Sequence, residues 1–207
     1  MSPEQHLRLA LKGTSETAPR PISRLELPLG LDKIISAKML HTLKPASVLT
    51  PVVKRKTGLT VLFTKRSESL RRHGGQISFP GGRREPDDAS AAAAALRETH
   101  EEVGIPPESV EVIGYLDDYP TITRYLVTPV VGLVEPSEAY AHDEGEVAEV
   151  FEVPLAHFLD PASFLRKVLS KNGVNVPFFE IHHGERVIWG ATAGMLWNLH
   201  QKLLAVA

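Results

Sequence analysis

Apolar and β-branched residues crowd two neighbouring runs, SVLTPVVKR (47–55) and LTVLFTKR (59–66), with Lys56-Thr57-Gly58 between them. Two such runs around a short glycine-containing break predict a β-hairpin. GGQISFPGG (74–82) predicts a short strand bracketed by glycines. VEVIGYLDDY (110–119) and YLVTPVVGLV (125–134) predict strands around Pro120-Thr-Ile-Thr. EVAEVFEVPL (146–155) alternates until Pro154 breaks it, and PFFEIHHGERVIWG (177–190) predicts a hairpin turning at His183-Gly184.

Helical periodicity is rarer. REPDDASAAAAALRETHEEVG (84–104) predicts a loop running into a helix: Asp88 is a suitable N-cap, the alanine run favours helix and Gly104 suits its end. ATAGMLWNLHQKLLAVA (191–207) predicts an amphipathic closing helix, in which Gly194 carries a mild penalty and marks close packing. In the first 45 residues, SPEQHLRLAL offers a Ser2 cap and Pro3 at the first helical position, and LDKIISAKMLHTL (31–43) is a second helical candidate. ETAPRPISRLELPLG (16–30) predicts a loop or extended connector. Residues 1–45 are expected to form an extension leaning on a main domain at 46–207, being too short to hold a core of their own. Strands with one helix inside their series and one at the end predict an α/β (α+β) fold, a mixed sheet with helices on both sides.

Composition narrows the function classes. The chain has 207 residues, 43% hydrophobic and 23% charged, with a net charge of −2. That gives no electrostatic footprint for wrapping nucleic acid. Cysteine is absent, which excludes disulfides, thiolate metal sites and a cysteine nucleophile. No apolar run approaches a membrane span, and the N-terminus lacks a signal-peptide core, so a cytoplasmic protein is expected. P-loop, Gly-x-Gly-x-x-Gly, Gly-x-Ser-x-Gly and His-Glu-x-x-His motifs are all missing.

Candidate chemistry centres on RETHEEVGI (97–105). Glu98 lies three and four residues from Glu101 and Glu102, so three like charges share one helical turn. Clustered carboxylates are the hard oxygen ligands of Mg²⁺ or Mn²⁺, and Mg²⁺ commonly shares its coordination with substrate phosphates. From the turn alone, a solvated acidic face remains the rival reading, with Arg97 offsetting Glu101. Upstream, the glycines of FPGG (79–82) allow close backbone approach to the helix or to a bound ion.

This loop–helix–loop constellation resembles the Nudix box: Gly, five residues, Glu, seven residues, then Arg-Glu-apolar-x-Glu-Glu-x-Gly-apolar. Arg97, Glu98, Glu101, Glu102, Gly104 and Ile105 fall on it. Thr99 takes a usually aliphatic place. After Gly82 and five intervening residues stands Asp88, not Glu, and eight residues then separate it from Arg97. Glu85, Asp88 or no residue at all could fill the upstream acidic role. LFTKRSESLRRHGGQISFPGG (62–82) is similar to the signature preceding the box in coenzyme A pyrophosphatases; Leu62, Thr64, Arg66, Ser67, Arg71, Gly75, Phe79, Pro80, Gly81 and Gly82 fit it.

The resemblance implies a Nudix-type α/β/α sandwich with a loop–helix–loop catalytic motif. It implies metal-dependent hydrolysis of coenzyme A or its derivatives to 3′,5′-ADP and 4′-phosphopantetheine, and a possible homodimer. The alternatives are a Nudix hydrolase of another nucleoside diphosphate derivative and a catalytically silent ligand-binding module. Under this reading Glu98 and Glu102 are the primary ligands of Mg²⁺ or Mn²⁺, and Glu101 is a third ligand or a water-orienting carboxylate. Arg97 orients the carboxylates, and Gly81 and Gly82 border substrate and metal. Lys65, Arg66, Arg71 and His73 supply cations for substrate phosphates. A general base is expected in HDEGEVAEVFEVPL (142–155), among Asp143, Glu144, Glu146 and Glu149. Glu146 is the candidate taken forward, a loop-anchoring ion pair being its rival role. Phe178, Phe179, Ile181 and Trp189 are available for an apolar trough, or for core.

Overall fold

A computed structural model describes residues 1–16, 42–69, 74–171 and 174–207. The helical candidate at 31–43 and the connector at 16–30 fall almost wholly outside the described residues. The first hairpin forms as β1 (Lys44–Arg55) and β2 (Gly58–Arg66), antiparallel with Val52 opposite Val61. β3 (Ile77–Ser78) adds to β2, and β4 (Gly81–Arg83) adds to β1 through Ser47 and Gly82. β5 (Val110–Tyr115) and β6 (Tyr119–Pro120) both pair with β7 (Tyr125–Val134). β7 runs parallel to β1 over its length, which makes the sheet mixed. β8 (Val147–Pro154) pairs with β2 and completes an eight-stranded sheet.

A separate three-stranded antiparallel sheet contains β9 (Leu165–Lys171), β10 (Val174–His183) and β11 (Arg186–Trp189). The turn at His183-Gly184 is where the sequence puts it. β9 carries no comparable pattern: LRKVLSK has no alternation of buried and exposed positions, because the strand lies exposed at a sheet edge.

Helices cover both faces of the large sheet. Strand alternation turns Val52, Val61 and Phe63 toward α1 (Pro3–Leu11) and α3 (Ala191–Leu204), where they join Leu7, Leu11, Leu196 and Leu199 in the main core. It turns Leu49, Val53 and Leu62 the other way, toward α2 (Ala91–Val103), against Ala95 and Val103. This is the expected α/β/α sandwich. α1 begins with the expected Ser2 cap: Ser2 Oγ accepts the Gln5 N–H at 3.2 Å, and the Gln5 side chain accepts the Ser2 N–H at 2.9 Å. Among the described residues, no helix is long and apolar enough to cross a membrane.

Gly194 marks a tight contact. A Cβ on it would sit 2.4 Å from the Tyr119 ring. Gly194→Ala should therefore destabilise the protein by about 1–3 kcal/mol through overpacking, read as a lowered urea midpoint at unchanged m-value. An unmoved midpoint would mean that Tyr119 swings aside freely.

Candidate active site

The acidic turn belongs to α2. Its N-cap is Ser90, whose Oγ accepts the Ala93 N–H at 2.9 Å; the Glu16 carboxylate accepts the Ala91 N–H at 2.6 Å. Asp88 is therefore not the cap predicted from sequence. Two residues before the cap, it turns instead to Arg97, forming a fork: Nε to Oδ1 and Nη2 to Oδ2, both 3.1 Å. Pairing with Arg97 holds the Asp88 carboxyl below the usual carboxylate range. Gly104 ends the helix with φ 70°, and its N–H donates to His100 O at 2.9 Å. Thr99, at the usually aliphatic place, is fully buried and donates its hydroxyl to Ala95 O at 2.6 Å. A backbone acceptor thus lets a polar residue stand where an aliphatic one is usual.

Arg97 has every N–H engaged. Besides Asp88 it donates to Glu98 at 3.0 Å, to Glu101 at 3.1 Å and to the Arg83 carbonyl at 3.3 Å. Glu101 is 59% exposed and reaches out along the helix. Glu98 is turned inward over Gly82: a Cβ there would lie 2.5 Å from the Glu98 carboxylate, so only glycine leaves the space. The neighbouring Gly81 is held equally close to β1, where a Cβ would meet the Ser47 carbonyl at 2.4 Å. Its N–H donates to Glu102 at 3.1 Å.

Glu102 is the buried member, 6% exposed, with Arg66 3.6 Å away. Burial pushes its carboxyl up to about 7, against the Gly81 N–H and Arg66, with Glu98 and Glu146 adding repulsion. Glu98 is also raised, chiefly by burial. Among the described residues, no three carboxylate or imidazole groups are gathered into a ready metal cage. Mg²⁺ requires fewer protein ligands: one or two carboxylates, with water and phosphate completing the shell. Glu98 and Glu102 present oxygen-only donors of like charge in a partly desolvated place, and they fit a divalent cation.

The four acidic candidates of the distal loop separate. Loop residues 141–146 dock on the end of α2, with the Asp143 N–H on Glu102 O at 3.3 Å and the Ser67 N–H on Glu146 O at 2.8 Å. The Glu146 side chain is exposed, and its charge acts on Glu98 and Glu102. Asp143 caps its own turn at Gly145, and Glu144 is exposed. Glu149 points away and pairs with Arg186.

A cavity of about 740 Å³ opens beside the carboxylates. Its lining includes the charged and glycine residues Arg66, Gly82 and Arg83 and the apolar Ile122, Phe178 and Trp189. The expected trough residues divide by strand alternation. Phe178 and Trp189 face cavities, whereas Phe179 and Ile181 are buried in the core and cannot form a trough. Lys65 and Arg66 divide likewise: Arg66 reaches the carboxylates, and Lys65 points to a second cavity with Glu149. Arg71 and His73 lie outside the described residues. The sequence reading missed Arg83, Tyr119 and Ile122. Arg83 follows the glycine pair directly, which is signal enough; Tyr119 and Ile122 reach the groove only through tertiary packing.

The NUDIX domain family profile matches residues 43–171. The chain belongs to the Nudix hydrolase family. It is 42% identical over 184 residues to a Cronobacter sakazakii protein named uncharacterized Nudix hydrolase NudL, covering 83% of this chain and 94% of that protein. An Escherichia coli K12 protein of the same name is 45% identical over 157 residues, 75% of this chain and 81% of that one. A solved Caenorhabditis elegans Ap4A hydrolase binary complex aligns with 54% of this chain and 80% of its own, at 19% identity and a TM-score of 0.47. Nudix hydrolases generally use divalent metal ions, in keeping with the donor set on α2.

The raised Glu102 carboxyl gives this Nudix hydrolase a pH signature. Its folded value of about 7 exceeds its ordinary 4.5. Between those values the folded state keeps a proton that the unfolded chain has lost, so stability falls as pH rises through that window. Glu102→Gln carries no such group. With chelator present, thermal melts of the variant should equal or exceed the wild type at about pH 8, that advantage shrinking toward about pH 4.5. A variant melting well below wild type at the higher pH would mean that the carboxylate is stabilised, not strained.

Proposed function

We propose that this Nudix hydrolase cleaves the diphosphate of coenzyme A and its derivatives, giving 3′,5′-ADP and 4′-phosphopantetheine or its acylated form. The carrying observation is the lining of the groove, which combines Arg66, Gly82 and Arg83, close to the carboxylates, with apolar surface from Ile122, Phe178 and Trp189. A substrate with an anionic centre and a long, weakly polar arm suits such a lining. The 62–82 segment, which resembles the coenzyme A pyrophosphatase signature, supports the same reading.

Glu98 and Glu102 would hold Mg²⁺ or Mn²⁺, with Glu101 a third ligand or an orienter of water. The cation, when bound, neutralises diphosphate charge and acidifies water. Arg97, tied to Asp88, fixes the direction of Glu98 through its Oε1. The glycine strand lets the diphosphate approach the backbone, and Arg66 stands within reach of its oxygens. Glu146, exposed on the docked loop with its charge acting on Glu98 and Glu102, is the candidate general base that would take a proton from the attacking water.

Product identification after incubation with coenzyme A, dephospho-coenzyme A and ADP-ribose, each with Mg²⁺ or Mn²⁺, tests the proposal. 3′,5′-ADP and phosphopantetheine should appear with coenzyme A as the preferred substrate. Glu102→Gln should lower the rate about a hundredfold or more. Rapid cleavage of ADP-ribose with coenzyme A left intact would refute the substrate, and undiminished turnover by the variant would refute the ligand.

A further inference from the structure

A second cavity of about 760 Å³ lies across a ridge formed by Ile77, Phe178 and Trp189, residues that border both spaces. The two spaces differ in character. The groove is largely apolar beyond its arginines. The second cavity is lined by Lys65, Glu149, Glu180, Glu185 and Arg186, with Val187 on the edge strand β11. Its charges are largely fixed in place. Arg186 pairs with Glu149 and lies over the Phe151 ring, 4.4 Å from its centroid. Glu180 accepts from His182 at 2.7 Å. The ridge aromatics, Phe178 and Trp189, meet edge to face at 5.8 Å, and Trp189 is 39% exposed.

Among the described residues this lining offers the carboxylates of Glu149, Glu180 and Glu185 beside Lys65 and Arg186, with Lys167 3.9 Å from Glu180, so it presents hydrogen-bond acceptors and donors side by side. Beside it, exposed aromatic surface favours a flat ring. A planar heterocycle carrying an exocyclic amine satisfies both demands, with carboxylates accepting from the amine and Lys65 donating to a ring nitrogen. The end of β2 joins the two spaces. Lys65 and Arg66 are consecutive, and the register shifts between them. One side chain enters the polar cavity and the other points to the carboxylates.

We propose that the polar cavity is the subsite for the substrate's nucleobase, an amine-bearing base such as adenine, while the apolar groove takes the half beyond the diphosphate. The diphosphate then crosses the strand end between Lys65 and Arg66. This rests on the reading of the carboxylate face as a nucleoside-diphosphate site, and it does not require that the other half be phosphopantetheine.

The test is calorimetric titration of the full chain, with Mg²⁺, by AMP and by ribose 5-phosphate, which lacks the base. AMP should bind about tenfold more tightly or better, as stacking on an aromatic surface provides. Val187→Arg, which sends a long side chain into the cavity from an exposed edge strand, should abolish that advantage. Glu185→Ala, at an exposed position beside the hairpin turn, should reduce it severalfold and serves if the first variant misfolds. Equal binding of AMP and ribose 5-phosphate by the wild type would overturn the proposal, as would an AMP preference untouched by both variants. An AMP preference lost in the variants, in an enzyme that leaves coenzyme A intact, would uphold the nucleobase subsite and refute the coenzyme A reading alone.

Discussion

One guanidinium ties Asp88, ahead of α2, to Glu98 and Glu101 on the face of that helix. Arg97 forks onto Asp88 and reaches Glu98 and Glu101 with its remaining donors. Glu102 accepts the Gly81 N–H and stands 3.6 Å from Arg66. Burial raises the carboxyls of both Glu98 and Glu102 against these favourable partners, and repulsion from neighbouring carboxylates adds to the rise. A hard cation held between them would offset both the burial of the two charges and their mutual repulsion, which is why we propose that they hold one.

The sheet makes that crowding possible. β1 is parallel to β7 on one side and carries the glycine strand β4 near its start. Gly82 leaves room for the Glu98 carboxylate, and Gly81 presses its backbone against β1 while offering an N–H to Glu102. α2 supplies the charges and β4 sets how closely they stand to the backbone. The loop before β8 closes the same region from the far side, brought in by hydrogen bonds to Glu102 O and from the Ser67 N–H.

Much of this was legible in the chain. The hairpins, the closing helix and the acidic turn follow from local periodicity and turn chemistry, and the structure has them where the pattern puts them. Asp88 was misread because an acidic residue shortly before an alanine run satisfies the rule for a cap. Ser90 satisfies it better, and only the folded chain shows Arg97 waiting for Asp88. β9 left no pattern because an exposed edge strand needs none. The aromatics of β10 were legible as a group but not as individuals: period-two alternation buries Phe179 and Ile181 and presents Phe178, and which face is which depends on how the small sheet meets the large one. The same alternation parts Lys65 from Arg66, which the sequence offered as a single basic cluster.

We propose that Glu98 and Glu102 together hold a divalent cation, and Mn²⁺ binding followed by electron paramagnetic resonance tests this without relying on turnover. The wild type should show a saturable site that weakens about tenfold or more in Glu98→Gln and in Glu102→Gln. Unchanged Mn²⁺ affinity in both folded variants would contradict it.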